Sequence, residues 1–162
     1  MRRMRYVICD VFTNKALTGN PLAVFTDARG VSEETMQSLA RELNLSETTF
    51  LLPAENGGDA RVRIFTPTRE LPFAGHPTVG CAVLLAEMKY KAGCSFETEI
   101  RLEENAGLVP VKVSRIGDHP RAQFTAPVVP YHADVKLPAI AETARALNLA
   151  EGDIGFDGHG IA

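Results

Sequence analysis

Tryptophan is missing from the chain altogether, and cysteine is scarce, at three in 162 residues. Cys9, Cys81 and Cys94 are odd in number and fall in no Cys-x-x-Cys spacing. That argues against a disulfide framework and for reduced thiols in a cytoplasm. Cys81 lies in an apolar run and reads as a packed small hydrophobe. No run approaches the length of a bilayer span, so no membrane partner is expected. The opening MRRMRYVICDVF is basic at first, but Asp10 interrupts its apolar run, and it does not read as a secretory signal. The few aromatics are scattered, which leaves no platform for stacking bases. No basic stripe offsets the formal net charge of -3, so nucleic acid is a poor partner. No HxH or HExxH spacing occurs. His119, His132 and His159 stand far apart and read as surface residues, so no metal is expected.

What is present is the composition of an ordinary globular protein, 45% hydrophobic and 23% charged, of a length that suits one domain. RYVICDVF and LAVF read as strands on either side of the turn-rich loop TNKALTGNP. SEETMQSLARELNL has Met36, Leu39, Ala40 and Leu43 at helical spacing, with Glu33 and Glu34 in the first turn, where the helix dipole favours them. ETTFLLP, ARVRIFTP, SFETEIRLEEN, LVPVKVSR and AQFTAP read as further strands. PAIAETARALNL is a second amphipathic helix, with Pro138 near its start. The glycine-rich end settles into no element. Hairpin-like pairs dominate and no βαβ alternation is sustained, which predicts an α+β fold with a mostly antiparallel sheet.

The segment LPFAGHPTVGCAVLLAEM is unlike the rest. A helix over VGCAVLLA is apolar on every side and has to be surrounded. A curved sheet wrapped around it is the economical solution. Pro77 suits a first helical position, which makes His76 the expected N-cap. The unpaired N–H groups would then be those of Thr78, Val79 and Gly80, at the positive end of the dipole. Gly80, without a Cβ, lets something pack close. A small carboxylate would fit there. Equally, Gly-His-Pro could be a plain turn with His76 merely capping it, although histidine is not a favoured N-cap. Glu47, between a helix end and a strand, could sit at a sheet rim as a general acid and base. It could also be a solvated loop glutamate. The loop through Asn20 and Pro21 is an anion-binding loop or only a turn.

Taken together, DVFTNKALTGNPLAVF, LNLSETTFLL and RIFTPTRELPFAGHPTVGCA, in that order and spacing, closely resemble the phenazine-biosynthesis PhzF-like isomerase family. The resemblance covers most of residues 5–90 and is softer beyond. It implies a diaminopimelate-epimerase-like fold of two similar modules, each a sheet around a central helix, with the active site between them. It implies that Glu47 shuttles a proton, that His76 with Gly75 is the active-site group at the helix start, and that Asn20 and Pro21 lie near substrate. The reaction implied moves a proton on a small cyclic carboxylate, a dihydro-hydroxyanthranilate, from C3 to C1 without cofactor or metal. Epimerases of that fold carry a cysteine where Ala74 stands, so two-cysteine epimerisation is not expected. Residues 1–162 would be a single N-terminal module, the second module with its Asp-Pro motif being absent. Self-association as a homodimer or a complementary C-terminal module would be the partner. The other reading is a non-catalytic small-molecule or protein binding module.

Overall fold

The computed structural model describes residues 3–127 and 136–155. The described residues fall into two compact units, one within residues 3–127 and one within residues 136–155. In the first unit eight strands form one sheet around and beneath two helices. The strands are β1 (Tyr6–Val11), β2 (Asn20–Phe25), β3 (Glu47–Leu52), β4 (Ala60–Phe65), β5 (Glu70–Leu71), β6 (Phe96–Glu104), β7 (Gly107–Arg115) and β8 (Pro120–Phe124). Helix α1 spans Glu33–Leu43 and helix α2 spans Gly75–Lys89. The sheet runs β1-β2-β3-β4-β6-β7-β8, with β5 paired to β4.

The expected α+β class holds, and so does the apolar helix inside a sheet. Most pairings are antiparallel, but β2 with β3 and β4 with β6 are parallel. The periodicities revealed α1 and α2 as helices without revealing that each is a crossover. A parallel pair needs such a connection because a tight turn cannot return the chain to the same end. The two-residue strand β5 carried no sequence signal of its own.

Alternation along each strand sorts the core into two layers. Leu22, Val24, Leu51, Val62 and Ile64 face Cys81, Ala82 and Ala86 of α2, together with Ile100, Leu102, Val109, Val111 and Val113. The opposite face presents Phe25, Phe50 and Phe65 to Met36 and Ala40 of α1. Phe25 and Phe50 stack with ring centroids 4.8 Å apart, and Phe65 meets Phe50 edge-on. Ser32 caps α1, its hydroxyl accepting the Thr35 N–H at 3.3 Å, and Asn44 ends the helix in the left-handed conformation. Each layer therefore lies where the sequence spaced its apolar residues.

Two adjacent glutamates on β6 illustrate the same alternation. Glu103 turns outward and accepts the backbone N–H groups of Glu55, Asn56 and Gly58. Those bonds favour the charged form and hold its carboxyl below the ordinary range. Glu104 turns toward α2, where one oxygen accepts the Thr78 hydroxyl at 2.7 Å. The other oxygen has no partner among the described residues. Burial pushes this carboxyl up to about 7, against the smaller opposing effect of the Thr78 hydroxyl.

In the second unit a short helix, α3, spans Ile140–Leu147, with Ala139 as N-cap and the Glu142 carboxylate accepting the Ala139 N–H. Pro138 precedes the cap rather than opening the helix. No described helix is long and apolar enough to cross a membrane.

Candidate active site

Strands β2 and β3 run parallel, and Glu47 opens β3 opposite Leu22, two residues into β2. Asn20 is the first residue of β2. By parity Asn20 shares the inner face with Leu22 and Val24, and Glu47 shares it with Thr49 and Leu51. Glu47 reaches the first turn of α2 with its side chain, and Asn20 reaches it with its backbone carbonyl. Close packing of the helix against the sheet at this end depends on Gly80. A Cβ there would lie 2.6 Å from Leu22 Cδ2 and 3.0 Å from Val11 Cγ2.

The helix does not begin where the sequence suggested. Ala74, with extended backbone, is the N-cap, and Gly75, His76 and Pro77 form the first turn. Proline is tolerated throughout that turn because no intrahelical N–H is required of it there. The Thr78 N–H is consequently bonded to the Ala74 carbonyl at 3.1 Å. Thr78 and Gly80 are buried, and the Thr78 hydroxyl serves Ala74 and Glu104. What fills the space beside Gly80 is the protein itself. The open donors expected at Thr78, Val79 and Gly80 are therefore those of Gly75 and His76, whose N–H groups have no acceptor among the described residues.

His76 is drawn inward, its side chain 8% exposed, and Glu47 retains 19%. His76 Nδ1 lies 2.8 Å from Glu47 Oε2, and Nε2 lies 3.1 Å from the Asn20 carbonyl oxygen. A carbonyl oxygen can only accept, so Nε2 carries a hydrogen. The Nδ1–Oε2 contact then holds one further proton. It rests on Nδ1 beside a carboxylate, or on Glu47 beside a neutral ring. Both ring nitrogens are thus engaged by the protein, and the imidazole is not free to grip a ligand anion itself. The second oxygen of Glu47 has no protein partner among the described residues.

Of the residues singled out from sequence, the structure gathers Glu47, His76, Asn20 and Gly75 at one place. Pro21 is exposed on β2, beside them in the chain but with no described contact to the pair. Two neighbours escaped notice. Ser46 donates its hydroxyl to the Asn20 side-chain oxygen at 3.0 Å and so steadies the residue that holds His76. Its place directly before Glu47 was the available signal. Phe12, whose ring centroid is 6.0 Å from that of His76, gave none. Cys81, as expected, is structural. It is fully buried, donates to the Thr49 hydroxyl, and has its thiol pushed up to about 12 by burial. Among the described residues no group of three or more metal-ligating side chains forms. His132 and His159 lie outside the described residues.

A carboxylate and an imidazole in hydrogen-bond contact thus lie at the mouth of a sheet-wrapped helix. Family comparison then identifies the chain. The family model described as phenazine biosynthesis-like protein matches residues 9–158, and the chain belongs to that PhzF family. An uncharacterized isomerase of Mesorhizobium japonicum is 45% identical over all of this chain and 53% of its own length. The trans-2,3-dihydro-3-hydroxyanthranilate isomerase of Pseudomonas aeruginosa is 49% identical over 68% of this chain and 38% of its own. Among solved structures, a predicted epimerase of Pseudomonas aeruginosa superposes with a TM-score of 0.74 at 35% identity, over 97% of this chain and 54% of that one. The chain spans about half the length of the relatives it matches over its whole extent.

Proposed function

We propose that the chain supplies the N-terminal half of an isomerase site. That site moves a proton on a small cyclic carboxylate of the dihydro-hydroxyanthranilate kind, by general acid–base catalysis through Glu47. The observation that carries this reading is the 2.8 Å contact between Glu47 Oε2 and His76 Nδ1, which places a single shared proton between them. That proton passes from one to the other without changing the net charge of the pair. Glu47 can therefore take a proton from one carbon through its other oxygen and return it to another while His76 holds the carboxylate in place. The free oxygen of Glu47 is the atom that meets the substrate. His76, fixed by the Asn20 carbonyl, orients the carboxylate and keeps the proton that the two share. The open N–H groups of Gly75 and His76, at the positive end of α2, orient the substrate carboxylate. The names of the relatives as isomerases agree with this assignment. The complete protein, incubated with trans-2,3-dihydro-3-hydroxyanthranilate in D2O, should turn it over, with solvent deuterium entering the product only to the extent that the Glu47 proton exchanges before it is delivered. Absence of both turnover and exchange would refute the assignment.

The partner in this reading is a second module, or in its absence a second copy of the chain. A proton shuttle needs a site closed against water on both sides, and the pair here is held from one side. Strands β1 and β8 end the sheet order, and β1 leaves Tyr6, Val7 and Ile8 between 40% and 56% exposed. A cavity of about 810 Å³ runs between these strands, floored by Val79, Val83 and Leu84 of α2. Open edges flanking apolar surface tend to find partners. Sedimentation of the 162-residue chain should therefore show self-association, with little or no turnover. A clean monomer that isomerises substrate efficiently would contradict both statements.

A further inference from the structure

We infer that Phe12 is the apolar wall of the Glu47–His76 site and selects ring-bearing carboxylates over acyclic ones, an inference that rests on the site reading above. Phe12 follows β1 directly and has a φ of 63°, in the left-handed region. For a bulky aromatic residue that conformation is a true outlier, and outliers of this kind gather at functional sites. Its side chain nevertheless stays in the open, with the residue 71% exposed. Folding alone would be better served by glycine or asparagine at such a position, since the aromatic ring contributes to neither core layer. What the ring does meet is the imidazole of His76, at a centroid distance of 6.0 Å and an interplanar angle of 48°.

The backbone that carries the ring is also held. The loop behind it is braced by the Leu17 N–H donating to the Asp10 carboxylate at 2.8 Å. The Thr13 and Thr18 hydroxyls bond at 2.7 Å, and the Thr18 hydroxyl also reaches the Lys15 carbonyl. Gly19 closes the loop against β1 so tightly that a Cβ would stand 2.5 Å from the Val11 carbonyl oxygen. These contacts hold the loop so that Phe12, with its left-handed backbone, stands beside the Glu47–His76 pair. A flat or half-flat ring, its carboxylate at the N–H groups of Gly75 and His76, can lie against Phe12 by an offset or edge contact. An acyclic carboxylate satisfies the N–H groups equally well but has no ring to place there.

The test is titration of the 15N-labelled chain with anthranilate and, separately, with propionate, followed by amide shifts. Parent, Phe12→Ala and Phe12→Tyr are compared. Both ligands should shift the Gly75 and His76 amides of the parent. Phe12→Ala should weaken anthranilate roughly tenfold and leave propionate unchanged, and Phe12→Tyr should restore anthranilate. Equal weakening of the two ligands, or undiminished anthranilate binding by Phe12→Ala, overturns the role of Phe12 while leaving the site standing. No shift at Gly75 and His76 with either ligand in the parent overturns the site reading itself, and this inference with it. Because Phe12 is exposed, the spectra of the variants also report directly that the fold is retained.

Discussion

In an active assembly, Glu47→Gln is expected to lower turnover by roughly 100- to 10,000-fold, the usual contribution of a positioned general acid and base. Glutamine keeps the length and shape of the side chain, and its amide can still meet His76 Nδ1. It cannot carry the transferable proton. Substrate affinity should change little, because the N–H groups of Gly75 and His76 are untouched. The loss should therefore appear in kcat rather than KM, with circular dichroism and thermal unfolding close to the parent. The inner face of β3 remains packed through Thr49 and Leu51. Parental kcat in Glu47→Gln would remove the carboxylate from the chemistry. A parallel loss of folded protein would reduce the residue to a structural one.

The second large effect concerns stability. Glu104→Gln should stabilise the chain at pH 8 and have little effect near pH 4. The Glu104 carboxyl holds its proton up to about 7, against an ordinary 4.5. A group whose folded pKa lies above its unfolded one binds protons more tightly in the native state. Its contribution to stability is full below the unfolded value and declines as the pH rises through the folded one. The window is thus pH 4.5 to about 7. Over it the parent should lose about 3 kcal/mol that the glutamine variant does not. Glutamine still offers an acceptor to the Thr78 hydroxyl. Chemical denaturation of both proteins across that window measures the difference directly. Parallel curves would mean that Glu104 is solvated or paired in solution. Glu103, one residue earlier, works in the opposite sense. Its carboxyl is held low by backbone N–H groups, so its contribution is present above the ordinary carboxylate range and is lost as the solution becomes acidic.

How much of this could be read beforehand varies with the kind of signal. The helical spacing of Met36 and Ala40 and the unbroken apolar run after His76 announced α1 and the buried α2 correctly. Each depends only on residues near one another in the chain. The alternation in ARVRIF and FETEIRLEE announced strands for the same reason. The importance of Glu47 came from the family resemblance, since a lone glutamate beside a strand has no distinctive pattern. The helix start was misjudged by two residues. Proline is as compatible with the third position of the first turn as with the first, and Gly75 is flexible enough to join the helix. The cost of that error was to place the open N–H groups inside the core. Phe12 and Glu104 were invisible for a different reason. One is defined by a backbone angle and the other by burial, and neither leaves a trace in residue order.

The parallel pairs carry one further consequence. The crossover from β2 to β3 passes through α1, and the crossover from β4 to β6 passes through α2. Both step in the same direction along the sheet. Because β4 runs antiparallel to β3, the second crossover starts with its strands pointing the other way. Right-handedness is close to obligatory for such units. With step direction kept and strand direction reversed, one hand can be preserved only if the helix changes faces. The two units are then related by a half-turn about an axis lying in the sheet. This places α1 outside the curl and α2 inside it. It also brings the chain down β4 to the end where β2 and β3 begin, and α2 has to start there. The meeting of His76 with Glu47 and Asn20 is thus a product of chirality before it is a product of side-chain chemistry. A circular permutant or strand reordering that kept every site residue but reversed the sense of either crossover would separate the pair.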